Sequence, residues 1–122
     1  MINIKPLKAY TDNYIWLLET NEEVSVVDPG DAKPVLDYLS KTNKNLRDIF
    51  ITHHHFDHTA GVPELENIIS GSIYGPKNSY ELINEKVTQG DTLSSLGIKF
   101  EIIEVPGHTL DHIAFYNEEN DI

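Results

Sequence analysis

Apolar and polar residues follow two rhythms along this chain, one of period two and one of period near four. Ile2 to Leu7 and Tyr14 to Leu18 are strand-like, with Thr11-Asp12-Asn13 as the turn between them. Glu23 to Val27 is a third strand, ended by Asp28-Pro29-Gly30. Ala32, Val35, Leu36 and Leu39 then recur at i, i+3, i+4 and i+7, which predicts an amphipathic helix from Ala32 to Ser40 with Asp31 as its cap. Asp48-Ile49-Phe50-Ile51-Thr52 reads as a short buried strand. Val62, Leu65, Ile68 and Ile69 mark a second helix that starts inside the histidine-rich run before it, with Pro63 tolerated in its first turn and Gly71 as its stop. Ile73 to Gly75 is a short strand, and Ser79 to Asn84 is one helical turn or two. Thr92 to Leu96 and Ile98 to Glu104 are strands that flank a turn at Gly97. His112 to Tyr116 is the last strand, and Asn117 to Asp121 is a polar turn. Strands interleaved with helices predict an α/β fold. There is no repeat, linker or low-complexity segment.

Composition narrows the class. At 122 residues the chain is long enough for one small domain with a modest core. No apolar run is long enough to span a membrane and no signal-peptide pattern is present, so a cytoplasmic location is the expectation. The absence of cysteine excludes disulfides, thiolate metal ligands and a cysteine nucleophile. A net charge of −11 disfavours a nucleic-acid surface, which should be basic.

Chemistry concentrates at Thr52-His53-His54-His55-Phe56-Asp57-His58, which holds four of the six histidines and follows directly on a predicted strand. Neutral imidazole is the commonest protein metal ligand, and a neighbouring carboxylate suits a borderline divalent cation. On extended backbone, alternate side chains share a face, so His53 and His55 grip one ion. Asp57 and His58 follow the change of direction and reach a second point. Pro106-Gly107 is a turn signal that presents His108 after another apolar strand. His53, His55 and His108 would make a three-histidine site with one open position, the ligand set of a catalytic zinc.

The H-x-H-x-D-H run after a strand, followed by Pro106-Gly107-His108-Thr109, resembles the metallo-β-lactamase superfamily. Ala9 to Leu18, Val27-Asp28-Pro29-Gly30, Thr52 to His58 and Pro106 to His112 resemble, more narrowly, glyoxalase II, the hydroxyacylglutathione hydrolases. The resemblance covers essentially the whole chain. It implies an αββα sandwich, of which this chain would be the N-terminal half: a mixed sheet flanked by helices. It implies His53, His55 and His108 as ligands of a first metal and Asp57 and His58 as ligands of a second, with zinc, iron or manganese as the pair. Asp57 would also orient the hydroxide held between the ions, which attacks the thioester carbonyl of S-D-lactoylglutathione and releases D-lactate and glutathione. That is a step of methylglyoxal detoxification.

The family pattern further calls for a bridging aspartate and a later histidine, which these residues do not include, and for a C-terminal helical domain that holds glutathione. The expectation is therefore a truncated domain with at most about one tightly held metal and impaired turnover. Inner sheet surface left bare would favour self-association. Two alternatives stand beside this reading: an inactive metal-binding fragment, and another enzyme of the superfamily such as an iron-dependent persulfide dioxygenase. The D-N-Y-x-W segment favours the thioesterase. Asp111 stands where many relatives carry Gly.

Other polar residues have plainer readings. His54 supports its neighbours or packs, and His112 is as readily a surface or core residue as one near the metals. Asp28 is either a turn residue before Pro29 or, by the resemblance, a support close to the metals. Tyr14 and Trp16 read as core strand residues, Asp12 and Asn13 as turn residues, and Glu118 and Glu119 as solvated acids.

Overall fold

The computed structural model describes residues 3–9, 13–52, 59–76, 81–104 and 113–116. Strands β1 (Asn3–Ala9), β2 (Asn13–Glu19) and β3 (Glu23–Val27) form an antiparallel meander. Helix α1 (Ala32–Thr42) then carries the chain to β4 (Asn45–Phe50), which lies parallel to β3. A short helix α2 (Val62–Leu65) passes into a 3-10 turn (Glu66–Ile68). Strands β5 (Ile73–Pro76) and β6 (Glu85–Val87) extend the parallel part, giving the sheet order β1-β2-β3-β4-β5-β6. A second, antiparallel sheet holds β7 (Thr92–Ser95), β8 (Ile98–Glu104) and β9 (Ile113–Tyr116) in that order.

Two apolar layers result. Ile15, Leu17, Val24, Val26, Ile49, Ile51 and Ile73 face α1 and α2 and pack on Ala32, Val35, Val62 and Leu65. Leu18, Phe50 and Val87 face the second sheet and meet Leu93, Phe100 and Ile102. Phe50 centres this layer, stacked on Tyr74 and tilted against Phe100 and Phe115 at centroid distances of 5.6, 5.6 and 4.9 Å.

Most predicted elements are present, with shifted limits. Helix α1 carries its Asp31 cap, whose Oδ1 accepts from the Lys33 N–H at 3.1 Å, and ends at a left-handed Asn43. Buried Glu19 fastens it to β2 by accepting from the Tyr38 hydroxyl and, at 2.9 Å, from the Lys44 ammonium. Strand β4 begins at Asn45 rather than Asp48, because Leu46 already pairs with Val24. Strand β6 was not expected: three residues without alternation leave no periodic signal. Residues 81–84, read as helical, are turn and bend, and 79–80 lie outside the described residues. Thr59 is helical, a turn at Ala60–Gly61 separates it from α2, the predicted helix start within the run lies outside the described residues, and Ile68 is exposed. Trp16, expected in the core, is 47% exposed. Gly71 does not end a helix by a left-handed turn; it lies where a Cβ would stand 2.0 Å from Asp48 Oδ1. The turn at Gly97 is a two-residue hairpin with Leu96 and Gly97 both at positive φ, 56° and 78°. The polar turn at 117–121 lies outside the described residues.

One irregularity shapes the interior. The β3–β4 register shifts between Val24 and Val26, so β4 carries an extra residue. Leu46 and Ile49, three apart, therefore both reach the helix-side layer, and Asp48 turns inward to the other sheet. Its Oδ1 accepts from the Ser72 N–H at 2.8 Å and its Oδ2 from the Ser95 hydroxyl at 2.5 Å. Ser25 closes the cluster at 2.9 Å from Ser95 Oγ and accepts from the Asp48 N–H at 3.3 Å. This buried polar cluster joins the two sheets through β3, β4 and β7.

Candidate metal centre

Strands β3 and β4 end side by side, with Val27 opposite Phe50. The Asp28 N–H carries the ladder one step further to the Phe50 carbonyl at 2.8 Å, and the chain then turns with Asp28 at φ 49°. Aspartate tolerates this left-handed conformation better than most residues. The turn directs its buried carboxylate at Thr52, whose N–H donates to Oδ1 at 2.7 Å and whose hydroxyl donates to Oδ2. Thr52 is the residue immediately before His53. At the next turn, the Pro29 carbonyl accepts from the Gly61 N–H at 2.9 Å. The Asp28–Gly30 turn thus bonds to both described flanks of the histidine-rich run.

The second sheet leads to the same end of the molecule. Ser95 lies against Asp48 and pairs with Ile98, so the start of β8 is level with Asp48. Phe100 is level with Phe50. Strand β8 therefore runs in the same direction as β4. Ile113 pairs with Glu104, so the segment bearing His108 begins and ends at the Glu104 end of β8.

His53, His55, Asp57, His58 and His108 themselves lie outside the described residues, as do His54, Asp111, His112, Glu118 and Glu119. Among the described residues, no group of three His, Asp or Glu is placed to hold a metal ion. The structure thus fixes the flanks of the predicted ligands: Thr52, Thr59 and Gly61 on one side, Glu104 and Ile113 on the other. Asp28 is a turn residue whose carboxylate also holds Thr52; its expected place close to the metals concerns residues outside the described ones. Thr52 is expected as a strand end and motif start but not as a partner of Asp28, and Gly61 is not expected at all; an N–H and hydroxyl pair beside a ligand run, and a glycine just after it, are the signals that point to them.

One titration near this core is displaced. Burial, and next the negative charge of Asp48, push the Tyr74 phenol above its ordinary value.

The match to known proteins covers residues 11–122 and is to the metallo-beta-lactamase superfamily. This chain belongs to that superfamily. Among its relatives, a hydroxyacylglutathione hydrolase of Pseudoalteromonas translucida (strain TAC 125) is 49% identical over 98% of this chain and 48% of its own length. One of Chromohalobacter salexigens is 47% identical over 95% of this chain and 47% of its own length. The chain spans about half the length of the curated relatives it matches. In fold it is similar to the BLEG-1 B3 metallo-beta-lactamase, with a TM-score of 0.85 and 18% identity over 97% of this chain and 68% of that one. As expected for the superfamily, a mixed sheet with helices packs on a second sheet. No described helix is long and apolar enough to cross a membrane.

Proposed function

We propose that this chain is the metal-binding part of a glyoxalase II-type thioesterase that hydrolyses S-D-lactoylglutathione to D-lactate and glutathione. One observation carries the reading: relatives named hydroxyacylglutathione hydrolase match 94–98% of this chain at 42–49% identity. The donor set fits the group the reading needs. Imidazole nitrogens and one carboxylate suit zinc, with iron and manganese close behind, and no cysteine competes. His53, His55 and His108 would hold one ion, and Asp57 and His58 would contribute to a second. Bound there, such a pair lowers the pKa of water toward about 7 and polarises the thioester carbonyl. Asp57 would also orient the attacking water by accepting a hydrogen bond from it. Asp28, which accepts two hydrogen bonds from Thr52, would hold the residue that precedes the run.

Within this chain the first site has three ligands and the second two, so about one zinc should be held tightly. The further ligands and the glutathione-binding domain are proposed to belong to the part of the relatives that this chain does not span. Elemental analysis after dialysis, with S-D-lactoylglutathione hydrolysis on the same sample, tests this. Turnover that a chelator abolishes is the outcome expected if the second site is completed, for instance by a partner copy. One zinc without turnover identifies the chain as a metal-binding part alone. A chain that retains no zinc and shows no turnover refutes the reading.

A further inference from the structure

Gly61 is where two separate stretches of backbone touch. Besides its hydrogen bond to Pro29, a Cβ at this position would stand 2.5 Å from the Pro29 carbonyl oxygen, 2.6 Å from Ala32 N and 2.7 Å from Asp31 C. All three are main-chain atoms, and none can swing aside as a side-chain tip would. Gly61 has φ −83° and ψ −13°, a conformation open to any residue. Its need for glycine is one of space, not of torsion. On the other flank, Thr52 is held by the Asp28 carboxylate through two donors. Thr52 and Gly61 are therefore both tied to the same short turn.

Resting on the metal-centre reading above, we infer that the Asp28–Gly30 turn is a two-point clamp. It fixes the separation of Thr52 and Gly61, and with it the span that the ligand-bearing run between them has to bridge. Gly61 is a positioning residue for the ions: it acts through the run, and any side chain there pushes the far foot of the run off its support. Groups that orient metal ligands from behind typically change affinity by about 10–100-fold when altered.

Gly71 supplies the control. It is equally cramped, with a Cβ placed 2.8 Å from the Arg47 carbonyl oxygen and 2.0 Å from Asp48 Oδ1, but it packs beside the inter-sheet cluster and not on the clamp. The experiment compares Gly61→Ala and Gly71→Ala in the whole chain. Zinc affinity is read by competition with a chromophoric chelator, ligand geometry by the visible spectrum of the cobalt-substituted protein, and stability by thermal unfolding of the metal-free form. Both variants should melt lower. Only Gly61→Ala should lose zinc affinity, by about 10–100-fold, and shift the cobalt bands. Unaltered zinc affinity in Gly61→Ala, or an equal loss in Gly71→Ala, overturns the clamp. If Gly61→Ala does not fold, Thr52→Val probes the other foot: weakened zinc binding supports the clamp and unchanged binding rejects it. Wild-type chain that binds no zinc removes the metal-centre reading itself, an outcome distinct from loss in the variants alone.

Discussion

At Asp28 a backbone cost and a side-chain gain meet in one residue. A left-handed conformation costs a non-glycine residue about 1–2 kcal/mol. Two hydrogen bonds donated to a carboxylate, each worth about 1.5–3 kcal/mol, outweigh it. Asp28→Ala keeps the cost and loses the gain, so unfolding in urea should show a loss of about 3–6 kcal/mol. A loss within 0.5 kcal/mol of wild type, the scatter of ordinary surface substitutions, would mean that Thr52 finds other partners. Tyr74 gives a second prediction with a definite sign. Its phenol is raised in the fold, so between the unfolded value, about 10, and the higher folded value the unfolded chain gives up its proton first. Its contribution is present below pH 10 and is lost as pH rises further. Wild type should lose stability relative to Tyr74→Phe as pH rises above about 10; parallel curves would contradict the shift.

At the scale of elements, the extra residue in β4 does two jobs. It keeps Leu46 and Ile49 on one apolar face, and it turns Asp48 into the layer between the sheets. A buried carboxylate is tolerated there because Ser72 and Ser95 donate to it, with the Arg47 guanidinium at 3.9 Å. Ser95→Ala removes one donor and leaves the carboxylate short, which should cost about 1–3 kcal/mol. Because Ser25, Asp48 and Ser95 form one cluster, Ser95→Ala combined with Ser25→Ala should deviate from additivity by more than about 0.5 kcal/mol. Simple addition of the two losses in denaturation would show the cluster to be two independent bonds.

At the scale of the whole molecule, the second sheet has three strands and the first has six among the described residues, and large apolar side chains of the first sheet are partly exposed. Trp16 and Ile4 lie on the face of β2 and β1 that also carries Leu18, yet they are 47% and 43% exposed. Trp16 is the sole tryptophan, so its fluorescence reports on this face directly. Red-shifted emission that acrylamide quenches freely is expected at low concentration. Self-association through this face should then shift the emission to the blue as concentration rises, with a parallel gain in mass by light scattering. Salt should favour it by screening the net charge of −11. Constant mass and constant emission across the range would exclude it.

Local chemistry made much of this protein legible from its residues alone. Strand and helix rhythms placed β2, β3, α1 and β8 to within two residues, because each buries one face against a flat layer and must repeat accordingly. The superfamily was legible too, since Thr52 to His58 and Pro106 to His108 are contiguous runs whose residue types carry the chemistry without reference to anything distant. The tertiary structure decided what depends on residues far apart in the chain. Asp48 reads as an ordinary strand-start acid until Ser95, forty-seven residues later, comes to lie against it. Gly61 reads as a loop residue until the backbone of Pro29 to Ala32 arrives beside it. Trp16 has the pattern of a core residue, yet it is 47% exposed, because burial depends on what the assembled layers bring against that face. Pattern along a chain specifies which face an element offers; only the assembled layers determine what meets that face.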